Sequence, residues 1–216
     1  SDLGFVIAGE GGPWRAGQVI AATGASLKSL DAPGAERFTD RGLLQCAWCN
    51  AGLFRGRPVV VVGGGDSALQ EALHLARHAK TVTVVVRGEA LRARHSFAAR
   101  AADHDNIEFR WEAEVLGLEG ETTLEAILIR ERFATEPERI ACDAVFAYTG
   151  LVPASAWLGD LADRDAQRAV HTDARLQTRT PGLYAVGALR SGYSGRLAVA
   201  IGEATLAAQH AARARR

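Results

Sequence analysis

Methionine is absent from the 216-residue chain, aromatic residues make up 6% of it, and there are six prolines and three cysteines. Three cysteines are too few for a disulfide scaffold, which excludes the small secreted modules stapled by several bridges. Lysine plus arginine and aspartate plus glutamate number 25 each, so the formal net charge is zero. A balanced chain offers no electrostatic case for nucleic acid or for an anionic membrane surface, and the basic end "AARARR" reads as a solvated helix terminus. No apolar run approaches the ~20 residues that a bilayer-spanning helix needs. The opening "SDLGFVIAGEGG" lacks the basic and apolar regions of a secretory signal. A cytoplasmic protein is expected, and without an initiator methionine its sequence reads as starting partway through a longer pattern.

What is present is core-forming. Hydrophobic residues are 48% of the chain and charged residues 23%, the balance of a globular protein with a real interior. The length suits one large domain or two small ones. Val6 to Ala8 and Gln18 to Gly24 read as two strands around a glycine-rich turn, "GEGGPWRAG". "SLKSLDAPGAERF" reads as a polar linker. Pro58 to Val62, "PVVVV", is a short unbroken apolar run, which suggests a strand buried on both faces. From Asp66 to Ala79, apolar residues at 68, 69, 72, 73 and 76 recur at helical spacing, and Thr81 to Arg87 is the next strand. Strand, glycine turn, helix, strand is a βαβ unit in a parallel sheet. A helix around "LRARHSFAARAADHD" follows, then "NIEFRWEAEVLGLEG"; "LEAILIRER" and "RIACDAVFAYTG" follow as further strands, expected to be antiparallel. "VHTDARLQTRTPGLYAVGA" reads as a short strand pair, and Gly195 to Arg213 as a closing Ala-rich helix.

The turn "VVVVGGGDSA" places Gly63, Gly65 and Ala68 in the spacing of a dinucleotide fingerprint. The first glycine permits the tight turn, the second lets backbone approach a pyrophosphate, and the small third residue lets helix and strand pack. Glycines end many strands, but here the pattern lies inside a βαβ unit, the context it requires. About 20 residues on, an NAD site usually carries an acidic residue for the ribose 2′-hydroxyl. This chain has Arg87, with Arg92 further on, and a guanidinium suits a 2′-phosphate. NADPH is therefore expected, although Glu89 lies nearby and Arg87 also reads as a solvated strand end.

Cys46 and Cys49 stand three apart, close enough for a small disulfide loop. Zinc needs four ligands as a rule, and only Cys142 and scattered histidines remain. The pair by itself reads equally as redox chemistry or as two inert buried thiols. His74 and His78 share a helix face at metal-ligand spacing without a third ligand, and read as surface residues. His95 reads as part of the phosphate pocket or as solvated. Cys142 reads as a small buried hydrophobe. The four tryptophans read as mostly core, Trp48 excepted, since it lies between two cysteines.

In order and spacing, "CAWC", "VVVVGGGDSALQEA", "VVRGEALRA" and "TPGLYAVGALRSGYSGRLAVAIGEA" resemble the low-molecular-weight thioredoxin reductases over nearly the whole chain. The resemblance implies an α/β fold: a Rossmann-like NAD(P)-binding domain (27–148) inserted in a partial FAD-binding domain of the same kind (1–26 and 149–216). It implies that NADPH passes a hydride to FAD, that reduced flavin reduces a Cys46–Cys49 disulfide, and that the dithiol reduces a thioredoxin-like protein or a small disulfide. Cys49 would be the thiol nearer the flavin and Cys46 the one that attacks the partner. Gly63, Gly65, Asp66, Ser67, Ala68, Arg87, Arg92, Gly150, Gly187, Arg196, Leu197 and Ala198 would bind the cofactors, with no metal, in a homodimer whose nucleotide domain swings.

Four departures accompany the likeness. The family opens with a glycine-rich βαβ unit for the FAD pyrophosphate, and this sequence resembles only the portion of the family beyond that unit. Ala188 stands where the family has an aspartate for the flavin ribityl chain. Asn50 replaces an aspartate that acts as a proton donor, and an amide cannot titrate as a general acid. Gly88 stands where another arginine of the phosphate cluster would be. These leave two alternatives: a flavin-free NAD(P)-binding module or redox subunit needing a partner chain, or a flavoenzyme acting on a small molecule with vestigial cysteines.

Overall fold

The structure, a computed structural model, describes residues 4–214, so Ser1 to Leu3 and the last two arginines of the basic end lie outside the described residues. In chain order the strands are β1 (Phe5–Gly9), β2 (Gly12–Ala16), β3 (Val19–Ala21), β4 (Ala25–Leu27), β5 (Leu43–Leu44), β6 (Pro58–Val62), β7 (Thr81–Val85), β8 (Ile107–Arg110), β9 (Ala113–Glu119), β10 (Ala126–Glu131), β11 (Glu138–Ala141), β12 (Ala144–Ala147), β13 (Leu151–Pro153) and β14 (Leu183–Ala185). The helices are α1 (Ala35–Phe38), α2 (Ala47–Asn50), α3 (Asp66–Leu75), α4 (His95–Ala102) and α5 (Leu197–Arg213). The chain divides into two compact units, one of residues 4–26 with 151–214, the other Leu27–Gly150.

Consecutive residues of a strand face opposite sides of its sheet, and the valines of β6 show what that does in the Leu27–Gly150 unit. Val59 and Val61 join one apolar cluster, with Leu69, Ala72, Leu73 and Leu75 of α3 and Ala47 of α2. Val60 and Val62 join a second, with Phe38, Ile127, Ile129 and Val145. A strand covered on both faces must be apolar at every position, which is why "PVVVV" does not alternate. The sheet is parallel, in the order β5-β12-β6-β7-β8, with β6 aligned to β7 (Val60 to Thr83) and to β12 (Val60 to Val145). Helices α2, α3 and α4 supply one cover, and an antiparallel sheet, β11-β10-β9, supplies the other.

Two expectations change here. Antiparallel pairing holds for β10 and β11, with β9 as the third strand of their sheet, but β12 is a parallel member of the main sheet, which β8 also joins. Cys142 and Asp143 separate β11 from β12, and Ala144–Ala147 is buried throughout, as an interior strand requires. The expected linker contains α1, whose Phe38 and Ala35 are buried in the second cluster together with Leu30.

In the other unit, β1 and β2 form a hairpin (Phe5 to Ala16, Gly9 to Gly12) closed by Glu10 and Gly11. Residues expected in the turn, Pro13 to Ala16, are therefore a strand. Proline is tolerated there because a two-stranded ribbon has only edges. The expected second strand shortens to β3, which pairs in parallel with β14 (Val19 to Leu183). The strand pair expected before Gly187 reduces to β14 and a single bridge from Gln177 to Tyr184. Small clusters around Leu158, Val170 and Leu189 and around Tyr184 and Ala207 form its core. None of the four tryptophans is buried; Trp48 is exposed as expected, and the core role expected of Trp14, Trp111 and Trp157 is corrected. No described helix is long and apolar enough to cross a membrane.

Candidate functional site: a disulfide beside a glycine turn

In the strand order, β6 and β12 are neighbours, but the chain leaves β6 towards β7 on the other side. Such a switch point opens a crevice at the carboxyl ends of the strands, the usual ligand position in open α/β sheets. The glycine turn lies there. Gly63 has φ 143, and a Cβ on it would meet the Tyr148 carbonyl oxygen at 2.5 Å and Ala68 Cβ at 3.1 Å. Only glycine permits that approach. Gly65 precedes the first residue of α3, and a Cβ there would meet nothing within 4 Å, which leaves open space in front of the helix N-terminus, where backbone amides favour an anion. Ala68 is buried and Ser67 exposed.

Asp66 is tied to a residue that the sequence did not single out. Its carboxylate accepts from the Arg94 backbone amide and from Arg94 Nε, both at 2.8 Å. The Gly64 carbonyl accepts from the amides of Arg92 and Ala93 at 2.8 and 3.1 Å. The loop after β7 is thus bonded to the glycine turn at three residues. Arg92 is exposed. Arg87 is exposed too and lines a cavity of about 540 Å³ with Glu89, Glu112, Glu114, Arg130 and Arg132. Two of these arginines have carboxylate partners: Arg132 meets Glu112 at 2.9 Å and Arg130 meets Glu114 at 3.8 Å.

Cys46 and Cys49 form a disulfide, with Cα atoms 5.3 Å apart. Cys46 is the N-cap of α2, and its Sγ accepts from the Cys49 amide at 3.1 Å. Asn50 Nδ2 donates to the Cys46 carbonyl at 2.9 Å. Trp48 is 61% exposed and stacks on His74 of α3, ring centroids 3.8 Å apart, while His78 packs edge-on against His74. Burial, with the neighbouring charges of His78 and Arg77, holds His74 below the ordinary histidine value.

Beneath α2 are two groups that sequence reasoning missed. The Tyr148 hydroxyl, at the end of β12, accepts from the Ala47 amide at 3.2 Å. The Glu71 carboxyl of α3 faces the Ala47 and Trp48 amides and the same hydroxyl. Burial pushes Glu71 above the usual carboxylate range, and those three donors only partly offset it. Burial pushes Tyr148 up as well, and the Glu71 charge adds to it. Nothing in the local sequence marks either residue, because one is a helix position and the other a strand end.

Gly150 completes this unit; its carbonyl accepts from the Lys28 amide at 2.9 Å. The remaining expected cofactor residues belong to the other unit. The Gly187 amide donates to Glu203 Oε2 at 2.7 Å, and Arg190 Nη2 meets Glu203 Oε1 at 2.5 Å. Burial pushes the Glu203 carboxyl up, but Arg190 and the Gly187 amide outweigh it and hold it below the usual range. Arg196 is the N-cap of α5. Leu197 and Ala198 are exposed, not the packed helix residues that their type would suggest.

The sequence pattern of the family described as pyridine nucleotide-disulphide oxidoreductase matches residues 5–211. The chain is 35% identical over 201 residues to a thioredoxin reductase of Treponema pallidum, covering 93% of this chain and 65% of that protein. It is 33% identical over 197 residues to a thioredoxin reductase of Bacillus subtilis, covering 91% of this chain and 62% of that protein. It thus spans a little under two thirds of the length of these curated relatives. Among solved structures, it superposes on a thioredoxin reductase of Lactococcus lactis with a TM-score of 0.88 at 32% identity, covering 94% of this chain and 68% of the other.

Proposed function

Since the chain belongs to the pyridine nucleotide-disulphide oxidoreductase family, we propose that it passes electrons from NADPH, by way of FAD, to the Cys46–Cys49 disulfide and on to a thioredoxin-like protein or a small disulfide. The observation that carries this is the disulfide itself, at the N-terminus of α2, in the same compact unit as the glycine turn. Inert buried thiols are the wrong description of a pair whose Cys49 is exposed.

The residues present fit a dinucleotide. Gly63, Gly65 and Ala68 form a turn with open space before α3, and its backbone amides would receive the pyrophosphate. Arg87 and Arg92 would meet the 2′-phosphate, with Glu89 and Glu112 weakening that preference. For FAD, Arg196 and the exposed start of α5, with Gly187, are the residues of the 4–26 and 151–214 unit left to hold it, and Ala188 supplies no carboxylate to its ribityl chain. FAD, when bound, supplies a two-electron relay between hydride and disulfide. Reduction breaks the S–S bond and leaves two thiols. Cys46, whose sulfur accepts the Cys49 amide, is the thiol better stabilised as the attacking thiolate. It attacks one sulfur of the acceptor's disulfide, and Cys49 then resolves the mixed disulfide. Both the homodimeric state and the cytoplasmic setting are part of the proposal, on family likeness.

A second reading has its own support. Ala188 and the small core of the 4–26 and 151–214 unit favour a nucleotide-binding redox subunit whose flavin comes with a partner chain. Adding FAD, NADPH and a disulfide acceptor to the purified chain, and following NADPH at 340 nm, tests both. Turnover that Cys46→Ser abolishes is the expected result. NADPH binding with neither retained flavin nor turnover selects the second reading, and turnover unchanged in Cys46→Ser overturns the first.

A further inference from the structure

Asn50 cannot give up a proton, yet a carboxyl group faces the helix that carries the two cysteines. Glu71 Oε2 is closed off from solvent and makes no hydrogen bond in this structure, an uncommon state for a carboxyl oxygen. The carboxyl faces the amides of Ala47 and Trp48 and the hydroxyl of Tyr148. Those amides open the helical turn that Cys46 caps, and the third amide of that turn, Cys49 N–H, already donates to Cys46 Sγ. Sulfur and carboxyl therefore draw on the same short stretch of backbone donors.

We propose that Glu71 is a positioning residue that sets the ionisation of Cys46: its charged carboxylate faces the start of α2, where the Ala47 amide is already held by the Tyr148 hydroxyl, and repels a thiolate forming at the same helical turn. The proposal rests on reading the cysteine pair as redox-active, because ionisation matters only once the disulfide is opened. Like charges facing the same helical turn, partly shielded from water, disfavour each other's ionised forms. Burial raises Glu71 above the usual carboxylate range, against the pull of the facing amides and hydroxyl. The other titratable groups facing α2 are Tyr148 from the end of β12 and His74 from α3, with His78 and Arg77 acting on His74. Tyr148, raised by burial, stays neutral and accepts the Ala47 amide. His74 meets the ring of Trp48 rather than the backbone amides.

The test reduces the chain with dithiothreitol, which gives two electrons and two protons to the disulfide and becomes its own cyclic disulfide. The alkylation rate of Cys46 by iodoacetamide is then followed from pH 5 to 9 by peptide mass mapping. In Glu71→Gln the Cys46 curve is expected to move to lower pH, with the rate at pH 7 rising by about three- to tenfold, or about half to one pKa unit. Glu71→Asp keeps the charge but withdraws it by one methylene, and is expected to move the curve the same way by less; it decides the matter if Glu71→Gln does not fold. His74→Gln is expected to leave the curve in place. A Cys46 curve unmoved by either Glu71 substitution, or moved as far by His74→Gln, overturns the proposal. Neither flavin nor nucleotide enters this measurement, so a failure of NADPH-driven turnover is a separate result.

Discussion

The two compact units solve the same burial problem to different depths. In Leu27–Gly150 a five-stranded sheet is covered on both faces, and two apolar clusters run through it. In residues 4–26 and 151–214 the strands pair only in twos, and the clusters are small. Val6, Ile7, Trp14, Leu197 and Ile201 face outwards there. Buried apolar area is the main favourable term in folding, so the first unit carries a self-sufficient core and the second is the weaker of the two. The chemistry follows the same division. Disulfide, glycine turn and Glu71 occupy the first unit, whereas the second unit brings an ion pair, Arg190 with Glu203, and the start of a helix.

The sharpest way to break this comparison is Gly63→Ala. It places a Cβ against the Tyr148 carbonyl at a φ that other residues avoid, and is expected to destabilise by about 3 kcal/mol and to abolish nucleotide binding. Urea unfolding and a fluorescence titration with NADPH check both; a stable variant that still binds would mean the turn is not the tight point of its unit. Acid should separate the units next. Glu203 and Asp165 both lie below the usual carboxylate range: burial pushes each up, but Arg190 outweighs it for Glu203, and the Ser191 hydroxyl with two backbone amides outweighs it for Asp165. A carboxyl with a depressed folded-state pKa stabilises above its unfolded value, and that stability is lost as pH falls through the folded one. Glu71 runs the other way: its contribution is full below the unfolded value and is lost as pH rises through its raised one. Hydrogen exchange at pH 3 to 5 is expected to open α5 before β6 and β7, and simultaneous opening would refute the division. Gly202→Ala is the smallest test. Gly202 lies inside α5 with open space around its Cβ position, so alanine should stabilise by roughly 0.5–1 kcal/mol, read as a rise in the melting temperature of the weaker unit.

Much of this was legible in the residues. Periodicity found β6, α3, β7 and the turn between them, because local pattern and final burial agree there. It misread β12 as antiparallel, since the choice of partner for "AVFA" depends on where the chain returns, not on its composition. It passed over β2 because Pro13 and the glycines read as turn. It placed three of the four tryptophans inside on residue type alone, whereas Trp14, Trp111 and Trp157 lie at the surface with Trp48. The cysteine pair and the fingerprint glycines were visible as spacing, while Glu71, Tyr148, Arg94 and Glu203 were not, because each acquires its partner through tertiary contact across 13 to 101 residues, such as Arg190 with Glu203 and Ala47 with Tyr148.

Cys142 is the third thiol, 3% exposed within the cluster beneath β9 and β10. Burial, helped by the charge of Asp143, pushes it up to about 12, so at neutral pH almost none of it is thiolate. A thiol reagent added to the reduced, folded chain therefore counts two groups, and three once the sheet opens. The protein carries its own internal clock for unfolding, readable by stoichiometry alone, in the unit whose deeper core makes it the last to open.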